Sequence, residues 1–251
     1  MAPLLSLIHV TKRYVDGRRE TLVLDDVSLQ VDEGDFVGMW GPKRSGKSTL
    51  LRVMAGIELP DSGEVAFRDR DLASMPTRKR SRLLRRGGIA LASSNWQTQV
   101  VRPVVELVAL AGGGDGTPMR EARMLAREAL ARVQATDCAD VRTDRLTLGE
   151  RLRVALAMAL VREPSLLLVD EPAVLPSPIE SDELYGLLRS LGEDRSLAVV
   201  IASENVAATA GSLRTMAVSS GEVRSMDEAG VVVQFPAPPT ARQPRADDAR
   251  S

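Results

Sequence analysis

Trp40-Gly41-Pro42-Lys43-Arg44-Ser45-Gly46-Lys47-Ser48-Thr49 (WGPKRSGKST) is the stretch that decides the fold. From Gly41 to Ser48 it fits G-x-x-x-x-G-K-[ST], a loop whose backbone N–H groups wrap around phosphates at the start of a helix. Its neighbours have the required character. Asp35 to Trp40 is a short apolar segment that reads as a strand, and Lys47 to about Ala55 reads as a helix. Within the loop, Gly46 lets the backbone come close, Lys47 brings a point charge to the β and γ phosphates, and Ser48 offers a hydroxyl to Mg²⁺.

Such a loop needs a metal-holding acid at the end of a nearby strand. Leu166-Leu167-Leu168-Val169-Asp170-Glu171 supplies one. The run is apolar on both faces, as a central parallel strand covered by helices should be. Asp170 then lies at the carboxyl end of the strand, where ligands of open α/β sheets bind, and Glu171 can act as a general base toward water.

Working outward, Leu5–Val10, Thr21–Val31 and Glu64–Phe67 read as strands separated by turn residues. Gly88–Ala92 is another. From Asn95 to about Arg145 strand signals stop, and Met119–Val133 carries helical spacing, preceded by a loop at Gly112-Gly113-Gly114. Thr147–Val161 and Ser181–Leu191 read as helices, Leu197–Ala202 as a strand, and Met216–Ser219 with Glu222–Ser225 as a hairpin. Phe235 to Ser251, rich in Pro, Arg and Asp, reads as a disordered tail. The fold expected is α/β: a P-loop domain over 1–235 with a mainly parallel core sheet, an antiparallel β part and a helical subdomain inserted at about 95–150, followed by the tail 236–251.

Bulk properties narrow the partners. The chain has 251 residues and a net charge of −1, so charge gives no support to a nucleic-acid partner. The single cysteine, Cys138, excludes an intrachain disulfide. No apolar stretch approaches the ~20 residues of a membrane span, and MAPLLSLIHVTKRY lacks the basic start of a signal peptide. These features point to a cytosolic protein, or one held on the cytosolic face of a membrane by a partner. The basic run Arg78–Arg86 (RKRSRLLRR) reads either as a solvated helix face or as a surface for phosphates or acidic loops.

The order of GPKRSGKST, then LTLGERLRVALAMAL (146–160), then LLLVDEP (166–172) resembles the ATP-binding subunits of ABC transporters. The phrasing is most similar to the branch serving lipoprotein release and macrolide-type export. The resemblance implies ATP and Mg²⁺ as ligands, held by Gly41 to Thr49 with Ser48 and Asp170 on the metal, and Glu171 as catalytic base. It also implies Tyr14 stacked on adenine, although tyrosine on a strand is also an ordinary surface residue. It implies a transmembrane permease as partner, docked around Ser94 to Arg102. A second ATP-binding domain, in a homodimer or heterodimer, would receive Thr147 and Gly149 on its γ-phosphate.

Five positions depart from that family's pattern. Leu148 stands where a glycine is expected, Ser94 for glutamine, Ser177 for aspartate between Pro176 and Pro178, and Ser203 for the switch histidine. Arg44 replaces a loop glycine, at a cost on the order of 1 kcal/mol if the position has positive φ. His9, the only histidine, reads as a strand residue. Residues that hold nucleotide remain while those that sense it have changed, so ATP binding with weak hydrolysis is expected. A non-hydrolysing regulatory or scaffold module is the alternative. A small-molecule kinase would need its own acceptor site and lid, and the 146–160 segment speaks against it.

Overall fold

A computed structural model describes residues 2–85, 88–93, 101–113, 117–170, 178–226 and 232–233. Arg86, Ser94, Glu171, Ser177 and the 236–251 tail lie outside the described residues.

Two sheets carry the architecture. β1 (Leu5–Asp16), β2 (Arg19–Val31), β4 (Ser62–Phe67) and β5 (Arg70–Asp71) form an antiparallel sheet in the order β2-β1-β4-β5. The larger sheet takes β3 (Phe36–Trp40), β6 (Ile89–Ser93), β7 (Leu166–Asp170), β8 (Ala198–Ser203), β9 (Arg214–Ser219), β10 (Glu222–Met226) and β11 (Val232–Val233) in the order β11-β10-β9-β3-β8-β7-β6. β9, β3, β8, β7 and β6 pair in parallel, and β10 and β11 add antiparallel strands at one edge. The helices are α1 (Lys47–Met54), α2 (Thr77–Arg85), α3 (Val104–Gly112), α4 (Met119–Arg132), α5 (Leu148–Leu160) and α6 (Pro178–Gly192). The α/β class, the mainly parallel core, the antiparallel sheet and the inserted helical elements match the reading of the sequence.

β7 and β8 show why the central strands are apolar on both faces. Leu167, Val169, Val199 and Ile201 point into one core, shared with α3, α4, α5 and α6. Leu166, Leu168, Ala198, Val200 and Ala202 point into the other, shared with α1 and the antiparallel sheet. Each is fully buried, so a strand of period 2 serves two cores at once.

Several boundaries differ from expectation for physical reasons. β1 continues to Asp16 because β2 pairs with it throughout, with register shifts between Leu7 and Arg13 that the hydrophobic pattern blurs. His9 sits in that irregular stretch at φ 52, exposed, with Nδ1 2.7 Å from Asp26 Oδ1. Gly112 ends α3 instead of opening a loop, since its bare Cα packs against Val161, where a Cβ would lie 2.6 Å from the side chain. β5, only two residues long, is a tertiary pairing with no periodic signal of its own. No described helix is long and apolar enough to cross a membrane.

Candidate functional site

The loop between β3 and α1 is shaped by its glycines. Gly46 takes φ 105, and a Cβ there would lie 2.7 Å from the carbonyl oxygen of Val23. Gly41 donates its N–H to Ser203 O at 3.2 Å, tying the loop to the end of β8. Arg44, exposed, has φ 62, so the strain foreseen for this position is present.

α1 starts at Lys47 with no side-chain cap and no acid in its first turn. Its leading N–H groups therefore carry the positive end of the helix dipole with no acid of the helix's own first turn to answer it. Lys47 is 5% exposed, and its ammonium donates to Gly41 O at 2.8 Å and Pro42 O at 2.9 Å. The loop thus closes around its own cation. Ser45 is buried beside it with a hydroxyl that has no hydrogen-bond partner. Pro42 and Lys43 are exposed on the outer side, with the Lys43 ammonium 4.0 Å from Glu204 Oε2, while Thr49 is buried.

Ser48 and Asp170 come together across 122 residues of chain: Ser48 Oγ donates to Asp170 Oδ1 at 2.9 Å. A hydroxyl and a carboxylate, both oxygen donors, form the donor set that Mg²⁺ takes alongside phosphate oxygens and water. The unsatisfied Ser45 hydroxyl and the uncapped α1 offer hydrogen-bond donors to the anion that would accompany the metal. The residues present therefore fit a magnesium–phosphate group.

Tyr14, half-exposed on β1, donates from its hydroxyl to Glu58 and lies 3.5 Å from Thr49 Oγ1. The ring is thereby held beside α1, with the Lys12 ammonium 5.9 Å from its centroid. Glu58, which also faces Arg52 at 3.5 Å, was not among the residues singled out from sequence.

Thr147 and Gly149 lie apart from this loop, at the start of α5. Thr147 caps the helix, accepting from Glu150 N–H at 3.3 Å, while Glu150 Oε2 accepts from Thr147 N–H at 2.7 Å and from its hydroxyl at 2.9 Å. T-x-x-E is the sequence signature of such a capping box, and residues 147–150 carried it unread. Leu148 projects, 42% exposed. The Cys138 thiol donates to the other oxygen, Glu150 Oε1, at 3.4 Å, and burial pushes that thiol up to about 11.

The Glu150 carboxyl is held below its usual value near 4.5, chiefly by the Thr147 N–H and then by the Thr147 hydroxyl and Cys138. A depressed carboxylate stabilises the fold above its unfolded value, and that contribution disappears as pH falls through the folded one. Thr147→Ala should therefore cost about 1 kcal/mol at neutral pH. Urea melts at pH 7 and pH 3 should show the gap between wild type and Glu150→Gln narrowing in acid. An unchanged gap would mean the carboxylate is not its source.

Ser203 closes β8 and is 1% exposed. Its hydroxyl accepts from Asn205 N–H at 3.0 Å, and Asn205 in turn donates to the Tyr185 hydroxyl at 3.1 Å. Serine here secures its own turn.

Comparison with known proteins agrees with this arrangement. Residues 24–174 match the ABC transporter family. The chain is 29% identical over 228 residues to the lipoprotein-releasing system ATP-binding protein LolD of Colwellia psychrerythraea, covering 91% of this chain and 88% of that one. It is 31% identical over 238 residues to the spermidine/putrescine import ATP-binding protein PotA of Pseudomonas aeruginosa, covering 93% of this chain but only 62% of that longer protein. A dimeric, post-hydrolysis ATP-binding cassette bound to ADP and Pi superposes with a TM-score of 0.80 at 26% identity, covering 89% of this chain and 98% of that one. A release system and an import system thus stand at comparable identity, and no single branch is favoured over another. A nucleotide-type loop on a parallel sheet, matched over most of its length by these proteins, places the chain in the ABC transporter family.

Proposed function

We propose that this chain is the ATP-binding subunit of an ABC transport complex, taking Mg-ATP at Gly41–Thr49 and coupling it to a membrane permease with weak hydrolysis. The observation that carries the reading is the pairing of Ser48 with Asp170 beside a loop closed on Lys47. Phosphate oxygens would take over the Lys47 ammonium from the carbonyls of Gly41 and Pro42 and accept from the Ser45 hydroxyl. Mg²⁺ held by Ser48 and Asp170 would supply neutralising charge on those oxygens. Tyr14 would present its ring to adenine from the α1 side. Glu171, next after Asp170, is the base proposed for the attacking water.

Weak hydrolysis rests on the positions that differ. Ser203 has no ring nitrogen to offer a γ-phosphate, and its short hydroxyl is held in a residue only 1% exposed, accepting from Asn205 N–H. Thr147 and Gly149 are proposed to meet the nucleotide of a second ATP-binding domain, as the dimeric relative suggests. Here, however, the Thr147 hydroxyl serves its own capping box, and Leu148 projects beside it. The same observation supports a second reading, in which ATP stabilises one conformation of a regulatory module without turnover.

For the permease, an open cavity of about 640 Å³ lies between the end of α1, α2, β6 and α5. Ile57, Leu91 and Met158 give it an apolar lining, with Arg80 and Arg162 on its walls. It suits an amphipathic permease segment bearing acids. Ser93, which also lines it, leads straight into the 94–102 stretch proposed from sequence for docking.

The test is co-purification with the membrane protein encoded beside this chain, followed by phosphate release from wild type and Glu171→Gln. Slow release by the wild type, lowered a further 10²-fold or so in Glu171→Gln, is expected. Equal release from both would remove Glu171 as base. Release as fast as that of a relative with the full motif set would end the weak-hydrolysis reading.

A further inference from the structure

The basic run singled out in the sequence has no part in the nucleotide site, yet its residues 78–85 fold into α2. Over its described side chains the helix divides cleanly. Thr77, Arg80 and Ser81 line the cavity assigned to the permease, and Leu83 packs on the core beneath the antiparallel sheet. Arg80 is further held by donating to Leu72 O at 3.2 Å. At about 100° per residue, Arg78, Lys79 and Arg82 fall together on the remaining arc. All three are exposed. Among the described residues none of the three has a carboxylate partner, and α2 itself contains no acid.

We propose that Arg78, Lys79 and Arg82 bind anionic phospholipid headgroups, so that α2 rests on the bilayer at the edge of the permease. The inference rests on the permease reading: a permease segment seated in the cavity would hold α2, which walls it, near the bilayer and within reach of long side chains on its exposed arc. Charge decides the occupant. Among the described side chains the exposed arc carries three cations and no aromatic or large aliphatic group, whereas a protein-binding surface needs apolar anchors at its centre and is poor in lysine. A headgroup layer needs only cations on flexible stems. Nucleic acid fits less well, since no exposed aromatic accompanies the cations and the chain as a whole is slightly acidic.

The experiment is sedimentation of the full chain with vesicles of phosphatidylglycerol and phosphatidylcholine, against vesicles of phosphatidylcholine alone. Each cation near such a surface is worth about fivefold in partitioning, so Arg78→Gln/Lys79→Gln/Arg82→Gln should bind the anionic vesicles roughly a hundredfold less well. Arg78→Lys/Arg82→Lys should bind like the wild type, and raising salt should release it. Retained ATP binding would show that both variants fold. Equal binding by the wild type and the glutamine variant, or no preference for anionic vesicles, would overturn the proposal. So would loss of duplex-oligonucleotide binding in the glutamine variant when neither protein binds vesicles. The vesicles contain no permease, so the two readings fail separately. A chain that co-purifies with permease but ignores anionic lipid refutes only the lipid surface; the reverse outcome refutes the permease, and with it the position at its edge, but leaves the headgroup contact standing.

Discussion

Lys47→Ala is expected to lower ATP affinity by about a hundredfold or more while moving the melting temperature of the ligand-free protein by only about 4 °C or less. The two numbers come from different states of one side chain. Without nucleotide, the buried ammonium satisfies Gly41 O and Pro42 O. Burying a cation costs much of what those bonds return, so its removal changes stability little. With nucleotide, the same ammonium would meet phosphate oxygens in a dry loop, where a charge-assisted bond contributes about 1.5–3 kcal/mol. Titration calorimetry with Mg-ATP beside thermal melts of both proteins gives both quantities. A melting temperature lowered in proportion to the lost affinity would make Lys47 a structural residue and undercut its assignment to phosphate.

The second large effect belongs to Gly46. Gly46→Ala should destabilise the fold by about 2–4 kcal/mol, combining a side chain forced to positive φ with overpacking. The added methyl would stand 2.7 Å from Val23 O, a backbone atom that cannot rotate away. For a chain of this size that corresponds to a fall of roughly 5–15 °C. Gly17→Ala is the control: φ is also positive, at 59, but nothing lies within 4 Å of the new carbon. It should cost only about 1 kcal/mol. Equal losses at the two positions in denaturant melts would show that backbone conformation alone, and not the approach of Val23, explains the glycine.

The contrast between these positions shows what the sequence disclosed. Gly41 to Ser48 was legible because its chemistry is local: loop, glycine, lysine and hydroxyl all lie within one turn of chain. Asp170 was legible because an apolar run ending in an acid marks a strand end at the ligand edge of a parallel sheet. The 2.9 Å contact that joins it to Ser48 was not, since strand order is a property of the whole sheet. The Lys47 contacts with the carbonyls of Gly41 and Pro42, the orphan Ser45 hydroxyl and the bond from Tyr14 to Glu58 depend on side-chain rotamers. Ser203 was recognised as a departure, but that its hydroxyl secures Asn205 required the turn itself. The capping box at Thr147 is different: its T-x-x-E signature is local and overlaps the segment that resembles the family motif.

Cys138 gives the helical region its own clock. The thiol is 5% exposed and pushed up to about 11, so at neutral pH almost none of it is thiolate or within reach of a reagent. Alkylation must then wait for the segment around Cys138 and α5 to open, which makes its rate a record of how often that happens. With one cysteine in the chain, every modified molecule dates an opening of the same place. Breathing of the helices that bear Thr147 and Gly149 can therefore be timed without introducing a probe.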